Sequence, residues 1–236
     1  MSKKTIQIQE EMSKNFQCLA DKYDRLEVWS DFVKLSACRL SISDISKRMR
    51  EYKGIVSHYS QEDVEYFTKM FELTVDAFEW NPCQDFLGGL YMKLELHTEK
   101  NGQYFTPYEA CKAMSAIIVE DLGSQLESKC WVSVYDSTCG AGATLIACAD
   151  GFKRMGINYQ QSVLFIAQDI DRIAALMCFI QLSLLGCAGC IVVGDALTAP
   201  IVGQNGTLPI QQEGQEIWYT PMMHTDAWRQ RLSLKD

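Results

Sequence analysis

Three short apolar segments, each ending at an aspartate, constrain the fold of this chain more than any other feature. They are WVSVYD, SVLFIAQD and CIVVGD, which end at Asp136, Asp169 and Asp195. The stretches between them, such as IAALMCFIQLSLLG, are long and apolar enough to form packed helices. Strands that alternate with helices predict a parallel sheet with right-handed crossovers, which is an α/β fold.

The carboxyl ends of these strands predict where a ligand binds, because open parallel sheets bind ligands beyond that edge. The first strand runs into DSTCGAGATL, where Gly140 and Gly142 let the backbone come close to a ligand. The amides that start the following helix attract negative charge. For the turn alone, a simpler alternative is that the two glycines relieve crowding between strand and helix.

Three nucleotide-like ligands compete for this turn. A phosphate-binding P-loop requires Lys and then Ser or Thr after its last glycine, whereas Ala143 and Thr144 follow Gly142. A nicotinamide dinucleotide fits poorly, because Leu145 stands where a third glycine is expected and the next strand-end acid lies beyond the usual ~20 residues.

S-adenosylmethionine fits better, because its three parts can meet the three strand ends in turn. Asp169 is the candidate acceptor for both ribose hydroxyls, with Asp171 as the fallback. Asp195 is placed to accept from the adenine amino group, and Ala196 and Leu197 offer apolar contact to the ring.

The N-terminal part of the chain has helical periodicity. One helix, started by Ser60 or Gln61, is predicted from apolar residues three and four apart: Val64, Phe67, Met70, Phe71, Val75 and Phe78. A second is indicated by Leu26, Trp29, Phe32, Val33 and Leu35. The basic turn that follows, Lys47, Arg48 and Arg50, is interpreted as a solvated face, with contact to a DNA backbone as the alternative.

A further helix start is predicted in GQYFTPYEACKAM, residues 102–114. Thr106 is the expected N-cap and Pro107 the first helical residue. Met114, Ile117 and Ile118 are expected on the buried stripe of this helix.

The order GQYFTP, DSTCGAG, AQDID and GDAL resembles the N6-adenine DNA methyltransferases of the type I restriction-modification kind, the family of modification subunits. The segment DFLGGLYMKLEL also looks like the one that precedes GQYFTP in those proteins, so the resemblance spans roughly residues 80–200. It implies a class I, Rossmann-like methyltransferase fold, S-adenosylmethionine as methyl donor and DNA adenine as acceptor.

The resemblance also implies roles for individual residues. It assigns the methionine end of the cofactor to Tyr104, Phe105, Thr106 and Pro107. It places Asp136, Cys139, Gly140 and Gly142 on the glycine loop, with Ser137 where proline is usual. Asp169 matches the ribose acid and Asp195 the adenine-side acid. The expected organisation is an N-terminal helical region, 1–100, followed by a cofactor-binding methyltransferase-like domain, 101–236.

The catalytic motif of the family is not matched. Asn-Pro-Pro followed by Tyr or Phe is expected after the fourth strand, where it holds and stacks on a flipped adenine. IWYTPMMHTDAW instead puts Tyr219, Thr220, Pro221 and Met222 on these positions, so no catalytic residue is assigned. Two functions are therefore open: an adenine-N6 DNA methyltransferase or a subunit of one, and an inactive module that binds S-adenosylmethionine, a partner chain or both.

A partner is expected for two reasons. The short segment after Tyr219 predicts an unpaired sheet edge and an uncovered apolar face, which a second copy or another chain would cover, with the tail from Trp218 to Trp228 as the adhesive surface. The net charge of -8 and the pI near 5.0 disfavour a broad nucleic-acid surface, so DNA contact is expected through a local patch or a partner subunit.

Composition predicts the compartment. The ten cysteines have no regular spacing, Met1 begins no leader-like segment, and no apolar run reaches about 18 residues, so we expect a cytoplasmic protein without membrane contact. Cys187 and Cys190 have no partner pair, so packing is expected there and no metal.

Overall fold

The computed structural model describes residues 3–96, 105–201 and 208–232. Its α-helices are α1 Lys3–Ala20, α2 Arg25–Leu40, α3 Ile45–Val56, α4 Gln61–Trp80, α5 Phe86–Lys93, α6 Tyr108–Gln125, α7 Ala143–Arg154, α8 Tyr159–Ser162, α9 Arg172–Leu184 and α10 Asp226–Arg231. Its strands are β1 Val132–Asp136, β2 Val163–Asp169, β3 Ala188–Val193 and β4 Glu216–Tyr219. A short 3₁₀ helix, Pro221–His224, precedes α10. No helix in the described ranges is long and apolar enough to cross a membrane.

The four strands form one sheet in the order β1-β2-β3-β4. The first three are parallel, which confirms the predicted α/β fold, whereas β4 is antiparallel to β3. Asp136 lies opposite Ala167, and Asp169 lies opposite Val193. The strand-end acids therefore meet at one edge of the sheet, as the sequence predicts.

Alternation along β2 separates the two faces of the sheet. Val163, Phe165 and Ala167 belong to the main buried cluster, which includes α7, α9 and the N-terminal helices. Leu164 instead joins a smaller cluster on the other face, with Trp228 and other residues of the C-terminal segment. The sheet is thus covered by helices on one face and by the C-terminal segment on part of the other.

The N-terminal helices form as the periodicity predicts. Ser60 caps α4 by accepting from the amide of Asp63, and Asp24 caps α2. Both predicted apolar stripes are buried or partly buried apart from Leu26, which is exposed. These helices share one continuous buried cluster with the sheet, and the division of the chain at residue 100 stays a prediction.

The C-terminal segment is not the adhesive surface that its tryptophans and methionines predict. Trp218, Met223 and Trp228 are almost completely buried, and the Trp228 indole donates to the Gln160 carbonyl at 2.7 Å. β4 pairs with β3 on one side, and no described strand pairs with its other side, so the edge expected to be open is open. Within the described residues, the two outer strands, β1 and β4, each have one side without a strand partner.

Helix α6 presents a different face from the predicted one. Met114 is 56% exposed and Ile117 is 77% exposed, so the expected buried stripe is wrong. The buried face holds small or short side chains: Cys111, Ser115, Val119 and Gly123. They let α7 approach so closely that a Cβ on Gly151 would lie 2.9 Å from Val119 Cγ2. The helix also starts one residue later than predicted, with Pro107 at the cap position and no side-chain cap from Thr106.

Arg48 contradicts the interpretation of the basic turn as a solvated face. It is 2% exposed, its guanidinium lies 3.3 Å from the centre of the Trp218 ring, and it forms an ion pair with Glu216. Glu216 also pairs with Arg172 at 2.7 Å. Because the network joins α3, α9 and β4, Arg48 fixes the antiparallel strand and is too buried to contact a DNA backbone.

The interactions with Arg48 and Arg172 keep the Glu216 carboxylate ionised. Burial works to raise the pKa of Glu216, but hydrogen bonds from Arg172 and Arg48 outweigh it and hold the pKa at about 2, below the ordinary value of 4.5. The lowered pKa means that Glu216 stabilises the fold above pH 4.5 and that this contribution is lost as the pH falls toward 2.

We therefore expect Glu216→Gln to lower the free energy of unfolding by roughly 3 kcal/mol at pH 7, because it leaves the buried Arg48 without its counter-charge. Urea unfolding followed by circular dichroism measures this. The control is Glu213→Gln, at an exposed position of the same segment, which should change stability by less than about 0.5 kcal/mol. Equal losses in both variants, or a Glu216 penalty that persists unchanged at pH 2, would contradict the role of the network.

Candidate functional site

The turn that follows β1 is held in place by β2. The amide of Cys139 donates to the Gln168 carbonyl at 3.0 Å, and the amide of Gly140 donates to Asp169 Oδ2 at 2.8 Å. Gly140 and Gly142 have φ angles of +53° and +93°, in the left-handed region that favours glycine. Two adjacent parallel strands thus fix a turn made almost entirely of backbone.

The two glycines are needed for different reasons. A Cβ on Gly142 would lie 2.8 Å from Cys178 Sγ on α9, so this glycine lets the turn pack against a helix. A Cβ on Gly140 would lie 3.0 Å from the Phe105 ring, beside the cavity described below. Gly142 therefore allows close packing against α9, whereas a side chain on Gly140 would press against Phe105 at the cavity wall. The side chain of Cys139 is buried and points into the protein interior, beside Cys178.

The three strand-end aspartates differ in environment. Asp136 Oδ1 accepts from the amide of Thr138 at 3.1 Å. Asp195 accepts from the Leu197 amide and the Thr198 hydroxyl, which lower its pKa. These two carboxylates order the turns after β1 and β3.

Asp169 is the most desolvated of the three strand-end acids. Burial raises its pKa, and backbone hydrogen bonds from Asp171 and Gly140 offset this only in part. Each carboxylate oxygen accepts one amide hydrogen and keeps a lone pair for a ligand hydroxyl. Asp171, the alternative ribose acid, instead caps α9 by accepting from the Ala174 amide at 2.8 Å.

A small cavity opens beside the glycine turn. Its volume is about 70 Å³, and its lining residues are Asp85, Phe105, Thr106, Cys111, Thr138, Cys139, Gly140, Ala141, Ala143 and Thr144. The cavity is far smaller than the roughly 300 Å³ or more of a complete small-molecule site. A cavity of this size has room for only one end of such a ligand. Of the residues assigned to the methionine end, Phe105 and Thr106 line it, Pro107 precedes α6, and Tyr104 lies outside the described residues.

Exposed apolar side chains flank the ends of β2 and β3. Leu197 is 93% exposed and Ile170 is 72% exposed, while Ala196 is partly buried between Asp195 and Leu197. Sequence reasoning missed Ile170, although an apolar residue directly after a strand-end acid was a usable signal. It also missed Asp85, because a single acid before a short helix has no distinctive pattern.

The segment aligned with the catalytic motif lies toward the amino-terminal end of β3, away from the glycine turn. Tyr219 pairs with Cys190 near the start of β3, because β4 runs antiparallel. The buried Thr220 hydroxyl donates to the Cys187 carbonyl at 2.7 Å and accepts from the Gly189 amide at 2.8 Å. Tyr219 and Thr220 therefore lie toward the ends of the strands opposite to the glycine turn.

A larger cavity, of about 370 Å³, lies between α2 and α3. Its lining includes Ile42, Ile45 and Met49 but none of the residues of the glycine turn. The larger of these two cavities is therefore separate from the glycine turn. Cys187 and Cys190 are fully buried, and the described residues contain no group of three or more side chains suited to hold a metal.

Comparison with known proteins gives the family. The family model described as N-6 DNA Methylase matches residues 84–213, which is more than half of the 236-residue chain and includes the glycine turn and all three strand-end acids. No curated protein matches the chain. The matched region and its length show that this chain belongs to the N-6 DNA methylase family.

Proposed function

We propose that this chain binds S-adenosylmethionine and works as a subunit of an adenine-N6 DNA methyltransferase of the type I restriction-modification kind. One observation carries the proposal. A backbone-lined turn and the desolvated Asp169 lie side by side at the carboxyl ends of parallel strands, within the matched region. Ligands of open α/β sheets bind at this edge.

The amino-acid end of the cofactor fits the cavity beside Gly140. Phe105 and Thr106 form one wall, and the first turn of α7 offers amides without helical partners. Those amides favour a carboxylate. We assign Tyr104 and Pro107 to the same end, and Asp136 and Cys139 to the support of the turn.

The nucleoside fits the ends of β2 and β3. Asp169 keeps lone pairs for the ribose hydroxyls, and Asp195 is the proposed acceptor for the adenine amino group. Ala196 contributes apolar contact, together with the exposed Ile170 and Leu197. A ring between these two side chains would bury apolar surface that the free chain leaves in water.

When bound, the cofactor supplies a methyl group on a sulfonium. The residues described above bind it and set its orientation, which accounts for a large part of the rate of such a transfer. This sequence contains no Asn-Pro-Pro, and we propose that a partner chain supplies the groups that hold the target adenine. With a net charge of -8, the chain also depends on that partner for most phosphate contacts with DNA.

The second candidate function is a module that binds cofactor or partner and performs no chemistry. The position of Tyr219 and Thr220, at the edge opposite the glycine turn, favours it over a complete enzyme. Calorimetry with S-adenosylmethionine and transfer of a tritiated methyl group to unmethylated DNA separate these functions. Transfer would contradict the inactive module. The proposed subunit should bind the cofactor alone and transfer the methyl group once an extract of the cells that encode it is added, and no transfer even then would contradict it.

We expect Asp169→Ala to weaken S-adenosylmethionine binding about 10- to 100-fold, because two hydrogen bonds from the ribose to a charged group are lost. Isothermal titration calorimetry measures the change. Asp171→Ala is the control, since it removes only the cap of α9. Unchanged affinity in Asp169→Ala, or an equal loss in both variants, would contradict the assignment.

The place for the partner is the side of the sheet at β1. This strand has no partner on its outer side within the described residues, and the exposed Met114 and Ile117 lie on α6, which leads into it. Open strand edges and contiguous apolar surface are features that proteins normally cover. We propose that a second chain packs here, either another copy or a different subunit.

We therefore expect the isolated chain to dimerise or to bind a hydrophobic dye, because the α6 surface is apolar. Light scattering and dye fluorescence measure these properties. Ile117→Glu should reduce the dimerisation or the dye binding that is observed. Ile210→Glu, also at an exposed isoleucine, should leave both unchanged. A monomer that binds no dye would contradict the need for a partner at this surface.

A further inference from the structure

Asp85 is a carboxylate whose position is explained only in part by its role in the fold. It caps α5, because Oδ1 accepts from the Gly88 amide at 3.0 Å. The same oxygen accepts from Gln181 Nε2 at 2.9 Å. In the described ranges, Oδ2 has no hydrogen-bond partner, although Asp85 lines the cavity beside Gly140.

A buried glutamine links Asp85 to the glycine turn. Gln181, which is completely buried on α9, donates to Asp85 and also to the Ala141 carbonyl at 2.8 Å. Its side-chain oxygen accepts from the Leu87 amide at 2.9 Å. Gln181 therefore uses both of its polar ends to hold the carboxylate and the turn on the same cavity.

The charge of Asp85 is poorly compensated. Its described hydrogen-bond donors are neutral, and none of the ion pairs in the described part of the chain includes it. Burial raises the pKa of Asp85, and the hydrogen bonds from Gln181 and Gly88 offset this only in part. A carboxylate in such a place gains most from a cationic ligand group.

Two charged subsites therefore face one cavity. The first turn of α7 favours an anion, and Asp85 favours a cation. A free α-amino acid group carries both charges on one carbon atom. We propose that the Asp85 carboxylate binds the α-ammonium group of S-adenosylmethionine, while the turn and α7 hold its carboxylate.

This inference rests on the function proposed above, and three ligands test it separately. S-adenosylmethionine and S-adenosylhomocysteine share the amino-acid end, whereas 5′-methylthioadenosine lacks it. Asp85→Asn keeps an oxygen to accept from Gly88 but removes the charge. Asp121→Asn, at an exposed position on α6, is the matched control.

We expect Asp85→Asn to weaken binding of S-adenosylmethionine and S-adenosylhomocysteine about 10- to 100-fold, because one charge-assisted hydrogen bond is lost. The affinity for 5′-methylthioadenosine should stay unchanged. Calorimetry of the full chain measures all three affinities. Unchanged affinities, an equal loss for all three ligands, or a loss for S-adenosylmethionine alone would overturn the role of Asp85 while leaving the proposed function intact. Failure of the unaltered chain to bind any of them would overturn both.

Discussion

The contact between the glycine turn and the end of β2 is the constraint on which the site depends. Parallel pairing places Asp169 beside the turn, and the Gly140 amide then binds its carboxylate. The left-handed conformations at Gly140 and Gly142 allow this approach, and the close contact with Cys178 fixes the turn against α9. A side chain would be strained at either glycine, and it would press against Phe105 at Gly140 or against Cys178 at Gly142.

The sequence predicts this part of the molecule well because the signals are local. Each strand is a short apolar run, each ends at an acid, and parallel pairing alone brings Asp136, Asp169 and Asp195 to one edge. The helix start at Ser60 is equally local, since a cap and an apolar stripe suffice. The roles of these acids in binding a cofactor stay predictions.

The parts that failed depend on tertiary contacts. Apolar periodicity shows that α6 has an apolar stripe, but α7 packs against the small side chains around Ser115 and Gly123 instead. The direction of β4 is set by the pairing of Glu216 with Arg48 and Arg172. Neither the packing face of α6 nor the direction of β4 follows from a periodic pattern in the sequence. Asp85 was missed for a related reason, because its link to the glycine turn runs through Gln181, almost one hundred residues away in the sequence.

The two outer strands of the sheet, β1 and β4, differ in their surroundings. β4 is tied to α3 and α9 through Glu216, whereas β1 follows α6, whose Met114 and Ile117 are exposed. The partner that we propose would cover the exposed α6 surface beside β1. Under this proposal, binding of the cofactor and capture of the target base are functions of different chains.

Amide hydrogen exchange with and without S-adenosylmethionine tests the central claim most directly, because it reports which backbone segments the ligand contacts. Exchange should slow in peptides covering 136–145, 168–172 and 194–199, and it should stay unchanged in α1 and α4. No slowing at these strand ends under saturating ligand, or protection confined to the cavity between α2 and α3, would contradict the account.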